Sequence, residues 1–94
     1  MLIQRQDSRT EEMVLQVKRP DYLGGRTWDF VLDGRTQRLK ILDDQWLHNF
    51  SQGEVIVRPG DSLRVLAGID ISYGAEDEVI SKETHILSVV EVIR

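Results

Sequence analysis

The chain has 94 residues, 40% of them hydrophobic, with 12 basic and 16 acidic side chains, a net charge of −4 and no cysteine. The missing cysteine excludes disulfides, thiol catalysis and cysteine-bound zinc, and fits a cytoplasmic setting. The acidic balance argues against a nucleic-acid partner, whose binder gains affinity by displacing phosphate counterions, and no run of about 18 apolar residues is present to cross a membrane as a helix.

Residues 1–11 are polar and mixed in charge, with no signal-peptide-like apolar run. They read as a flexible lead-in. A single β-rich domain is expected over 12–94, the size at which one small core is the default. EMVLQVKRP, residues 12–20, alternates: Met13, Leu15 and Val17 share one side, Gln16 and Lys18 the other. That is the pattern of a half-buried strand, and Pro20 ends it because it cannot donate to a ladder.

TWDFVLDGRTQRLKIL, residues 27–42, holds Asp33-Gly34, a dipeptide favoured in two-residue hairpins. With those two residues as the loop, Leu32 faces Arg35, Phe30 faces Gln37 and Trp28 faces Leu39. One face then carries Trp28, Phe30, Leu32, Leu39 and Ile41. The other carries Thr27, Asp29, Thr36, Arg38 and Lys40, with Asp29 opposite Arg38. A slip of one residue would scramble both faces.

DDQWLHNFSQG, residues 43–53, changes period. Trp46, Leu47 and Phe50 fall on one side of a short helix over about 43–52. Asp43 or Asp44 can cap its start, and Gly53 suits its end. About two turns are too short to stand alone, so the helix must dock its rings on the sheet. Val55 and Val57 then alternate with Ile56 and Arg58, and Pro59-Gly60 turns the chain. Leu63, Val65, Ala67, Ile69 and Ile71 follow at period two. After an acidic loop at 73–77, residues 78–93 form a last strand, apolar on both faces near its end. It therefore reads as central or covered on both sides. The fold class expected is mainly β (α+β): a small curled antiparallel sheet or partly open barrel of five to six strands with one short helix.

The stretch VRPGDSLRV invites three readings. A phosphate loop needs several glycines, a lysine and a following helix; one glycine, no lysine and a strand are found here. The opening of a LysM domain is similar over about a dozen residues, but that domain continues into a helix where this chain alternates. A corner between strands fits best, with Asp61 accepting from nearby amides.

Candidate chemistry is thin. His48 and His85 stand alone, without a Ser-His-Asp set at a recognisable spacing. Asp43-Asp44 reads as a cap, and Glu76-Asp77-Glu78 with Asp70 lacks the Asp-x-Asp-x-Asp-Gly calcium spacing. No cofactor or metal is expected, and no enzymatic activity. Charge is uneven: residues 13–42 hold Lys18, Arg19, Arg26, Arg35, Arg38 and Lys40 against Asp21, Asp29 and Asp33, a balance of +3, while residues 43–94 hold ten acids against four bases. Arg38 and Lys40 are the candidate basic face. The segment Val55, Ile56, Val57 and Arg58 is the candidate interaction edge, since unpaired strand amides accept another strand.

The ordered set Trp28-Asp29-Phe30, Gly34, Ile41, Asp43, Trp46-Leu47, Phe50, Gly53-Glu54, Pro59-Gly60-Asp61, Leu63-Arg64-Val65 and Ile86-Leu87-Val90-Glu91 resembles a small bacterial domain without an assigned activity. It is found at the C-terminal end of longer proteins, some with a histidine-kinase-like ATPase domain upstream. The resemblance covers about residues 13–93 and implies an appended module that works through its neighbours. The function expected is thus a non-enzymatic accessory domain for protein–protein contact or oligomerisation, with a protein partner or a second copy as its ligand. The alternative is nucleic-acid or small-ligand binding by a barrel-like β domain.

Overall fold

The computed structural model describes residues 3–94. Its elements are β1 (Arg5–Arg19), β2 (Thr27–Leu32), β3 (Arg35–Lys40), α1 (Asp44–Ser51), β4 (Ser62–Tyr73) and β5 (Val79–Ile93). They form one antiparallel five-stranded sheet in the order β3-β2-β1-β4-β5. The sheet curls until its outer strands approach. Ile41, just past β3, makes a parallel bridge to Ile86 of β5, and Leu42 N donates to Ile86 O at 2.7 Å. The sheet does not close beyond that point.

The β2–β3 hairpin has the register read from the sequence, with Trp28 opposite Leu39, Phe30 opposite Gln37 and Leu32 opposite Arg35. Asp33 and Gly34 have φ of 52° and 76°, the double positive φ of a turn that matches strand twist and that glycine adopts without steric cost. Trp28, Phe30 and Leu39 enter the core, joined by Leu15 and Val17 of β1, Leu63, Val65 and Ala67 of β4, and Ile86 of β5. Each fully buried large side chain contributes roughly 1.5–3 kcal/mol of burial free energy.

Helix α1 covers one end of this core. Asp43 is its cap, accepting from Trp46 N at 3.1 Å. At the other end Glu54 N donates to Asn49 O and Gly53 N to Phe50 O, the paired bonds that satisfy terminal carbonyls. Trp46 and Phe50 meet Trp28 at centroid distances of 5.4 and 4.8 Å, and Tyr22 stacks on Phe50 at 5.7 Å. The rings join helix, hairpin and the β1–β2 loop at one end of the curl.

Two features differ from the sequence reading. Residues 5–11, expected as a flexible lead-in, form the first half of β1 and pair with β4 from Arg5↔Tyr73 to Glu11↔Ala67; Met1 and Leu2 lie outside the described residues. The segment is exposed on both faces, so it has no apolar alternation to betray it. Strand β5 is an edge strand rather than a central one. Its register slips between Arg64/Val65 and Leu66/Ala67 of β4. Its residues facing the core side therefore come at Ile86, Val89 and Val92, opposite Ala67, Val65 and Leu63. The intervening apolar residues, such as the exposed Val90, occupy the other face.

Past the core, β1, β4 and β5 continue as a three-stranded arm over residues 5–10, 68–73 and 79–85. The arm gives the molecule its length, with extents of 48 × 26 × 22 Å.

Candidate functional site

The positions at which the sheet leaves backbone unpaired are the outer sides of β3 and β5, and β1 before its contact with β2. Strand β2 opposes β1 only over Gln16–Arg19, so residues 5–14 of β1 have a partner on the β4 side alone. The phase of the ladder identifies the free groups. Val17 N donates to Asp61 O at 2.7 Å on the β4 side, and antiparallel pairs alternate. The odd-numbered residues of β1 thus bond to β4, while Gln6, Ser8, Thr10, Glu12 and Val14 turn N–H and C=O to the open edge.

Charges follow the same alternation. Arg5, Asp7, Arg9 and Glu11 share the face that, further along, carries Met13 and Leu15 into the core. The Arg5 guanidinium lies 4.3 Å from the centre of the Tyr73 ring and 3.4 Å from Asp77. On the other face Ser8 Oγ donates to Asp70 Oδ1 at 2.7 Å, and Arg64 bridges Glu12 and Glu91 at 3.5 and 3.0 Å. Exposed pairs of this kind each contribute about 0–1 kcal/mol. Charges along an open edge oppose indiscriminate strand pairing.

The segment Val55–Arg58 is not such an edge: no strand forms there. Side chains occupy its backbone. Tyr22 Oη donates to Val57 O at 2.9 Å, Arg94 Nη2 donates to Ile56 O, and Arg58 N donates to Asp61 Oδ2 at 2.9 Å. Val57 is 1% exposed and belongs to the core. The Val-Ile-Val alternation comes from a chain that crosses the end of the curled sheet between α1 and β4, inserting Val57 as it passes.

Arg38 and Lys40 lie on the outer face of β3, as their alternation with the core residues requires. Arg19, Asp29 and Arg38 align across β1, β2 and β3, Arg38 Nε sits 3.2 Å from Asp29 Oδ1, and Lys18 Nζ donates to Thr36 Oγ1 at 3.0 Å. Lys18, Arg19, Arg38 and Lys40 thus share this face with Asp29, and Asp21 borders it beside Arg19 and Arg38. Trp28 and Phe30 are on the opposite, buried face. Beside this surface, a cleft of about 730 Å³ separates β3 from β5, with Arg38 and Lys40 on one wall and Lys82 and Glu83 on the other.

Ser8, Asp70 and His85 meet on the arm, with His85 Nδ1 3.8 Å from Asp70 Oδ2. The order is wrong for nucleophilic catalysis, because the serine donates to the carboxylate and not to the imidazole. The ring lies across Gly68, where an added Cβ would come 2.5 Å from Nε2. His48 is exposed on α1. Among the described residues no group of three or more histidine, aspartate or glutamate side chains is placed to hold a metal ion, and no helix is long and apolar enough to cross a membrane.

The open edge of β1 escaped the sequence reading. The period-two spacing of Arg5, Asp7, Arg9 and Glu11, interrupted by Glu12 and with no apolar face beside it, is the trace it leaves in the sequence. Comparison with models of known families, with curated proteins and with solved structures finds no match in any of the three.

Proposed function

We propose that the chain is a non-enzymatic accessory domain that mediates protein–protein contact or oligomerisation through its open strand edges. The observation that carries this reading is the arm: a strand prolonged beyond the core, exposed on both faces, with the even-numbered residues from Gln6 to Val14 turning backbone donors and acceptors to solvent along β1. Holding such an edge open costs a protein protection against aggregation, so a partner that completes it is the economical explanation. Proline at an edge-facing position removes a donor without breaking the ladder on the other side. The test compares the wild-type chain with Thr10→Pro in sedimentation over a range of concentrations and in cross-linking to co-purified proteins. An assembly formed by the wild type and lost in the variant supports the reading. A strict monomer whose cross-links are unchanged by the proline counts against it.

A second reading rests on the cations gathered on the outer face of β1–β3. Five-stranded, partly open barrels of the oligonucleotide-binding kind use the face of strands 2 and 3, a fold-level analogy only. Trp28 and Phe30 are buried on the opposite face, and the one exposed ring beside the cations, Tyr22, is stacked on Phe50 with its hydroxyl donating to Val57 O, which weakens that reading. Titration with a labelled single-stranded oligonucleotide at low salt tests it, since the phosphate contribution is largest there.

A further inference from the structure

We infer that the partner of the β1 edge is a second copy of the same edge, paired antiparallel about a two-fold axis at Ser8. This rests on the reading of the chain as an interaction module and names its partner. Two copies of a strand related by a two-fold axis normal to the sheet keep each side chain on its own face. Residues can then meet only in pairs of like parity. The free edge belongs to even-numbered residues, so Ser8 meets Ser8 and Gln6 meets Thr10 as hydrogen-bonded pairs, with both backbone groups supplied by each chain.

On the face of the odd-numbered residues this register sets Asp7 opposite Arg9 and Arg5 opposite Glu11, each twice. Directly opposed unlike charges stabilise a sheet and like charges destabilise it. The neighbouring registers are repelled. Centring on Arg9 opposes Arg9 to Arg9 and Asp7 to Glu11. Centring on Asp7 opposes Asp7 to Asp7 and Arg5 to Arg9. Registers centred on Gln6 or Thr10 oppose one kind of unlike pair, Arg5 to Asp7 or Arg9 to Glu11, whereas the Ser8 register opposes two. The four charges in RQDSRTE therefore favour it most and reject those centred on Asp7 and Arg9.

The available length agrees. Strand β2 pairs with β1 from Gln16 onward, and the proposed register carries Arg5 to Glu11 alongside Glu11 to Arg5 of the second copy, short of that point. The two arms become one six-stranded sheet, β5-β4-β1 continued by the second copy's β1-β4-β5. The interface is isologous and closes on itself, so assembly stops at two.

The charges also supply the test. Asp7→Arg opposes two arginines at both Asp7–Arg9 positions, and Arg9→Asp opposes two carboxylates there. Both residues are exposed, so the variants remain folded, which far-ultraviolet circular dichroism checks. Each variant alone dimerises about tenfold or more weakly than wild type, since two attractive pairs become repulsive. Mixed in equal amounts, the two variants form a heterodimer. The arginine introduced by Asp7→Arg in one copy then faces the aspartate introduced by Arg9→Asp in the other, and the native Arg9 and Asp7 make the second pair. Sedimentation velocity with one variant labelled reads this directly. Weakening by both single variants, together with rescue on mixing, establishes the register, because a pairing centred on Gln6 or Thr10 is weakened by only one of them. Weakening by one variant alone overturns the Ser8 register. A wild-type dimer unmoved by either variant overturns the β1 pairing and leaves association through another surface standing. A wild type monomeric at every concentration tested overturns the pairing, and if cross-linking also finds no other protein bound, the broader reading falls with it.

Discussion

Asp43 shows how much one side chain can hold. Its Oδ1 caps α1 at Trp46 N, and its Oδ2 accepts from Val89 N of β5 at 3.1 Å. One carboxylate thus fixes the helix and ties it to the last strand. Sequence alone left the cap open between Asp43 and Asp44; the structure gives Asp44 to Arg26 in an exposed ion pair at 2.9 Å. Asp43→Ala loses a cap, about 1 kcal/mol, and strands a partly buried donor, about 1 kcal/mol or more, so it should destabilise by roughly 2 kcal/mol. Asp44→Ala should cost about 0.5 kcal/mol or less. Urea midpoints at constant slope separate them, and equal shifts would refute the dual role. Asp43→Asn should fall between, because an amide keeps one acceptor and offers a donor where the second acceptor stood.

At the scale of elements, what could be read in advance was what is encoded locally. The β2–β3 hairpin is fixed by Asp33-Gly34 and the alternation on either side, and its register follows. The short helix is fixed by the change of period and by its cap. The pairing of β1 with β4 joins residues such as Arg5 and Tyr73 across most of the chain, and no local turn specifies it. The bulges in β5 hid its place for a related reason: they reset the period, so apolar residues on two faces resembled a strand buried on both. The docking of α1 follows from its rings. Trp28 is 1% exposed, whereas Phe50 is only partly buried against it. Trp28→Ala should therefore destabilise by about 3–5 kcal/mol and Phe50→Ala by about 2 kcal/mol, the smaller figure scaled for partial burial. Chemical denaturation of the two variants checks the ratio. A larger loss at Phe50 would mean that the helix, rather than the hairpin, anchors the aromatic cluster.

Taken as a whole, the molecule is a packed body with an arm projecting from it, and the two parts rest on different physics. The body is held by buried side chains contributed by every strand of the sheet. The arm is held mainly by backbone ladders and exposed charge pairs, with little apolar cover, so it should open without the body opening. Amide hydrogen exchange can separate these motions. The amides of Asp7 and Arg9, which bond to β4, should exchange through local opening at a free energy below that of Leu15 and Val17. Ile86 offers the perturbation. It is fully buried in the body and holds the β3–β5 closure through its bridge to Ile41. Ile86→Val removes one buried methyl group and should lower the protection of Leu15 and Val17 by about 0.5–1.5 kcal/mol. The arm amides, limited by their own opening, should move far less. If instead the arm lost protection by the same amount, arm and body would be a single cooperative unit, and the edge of β1 would be held by the core after all.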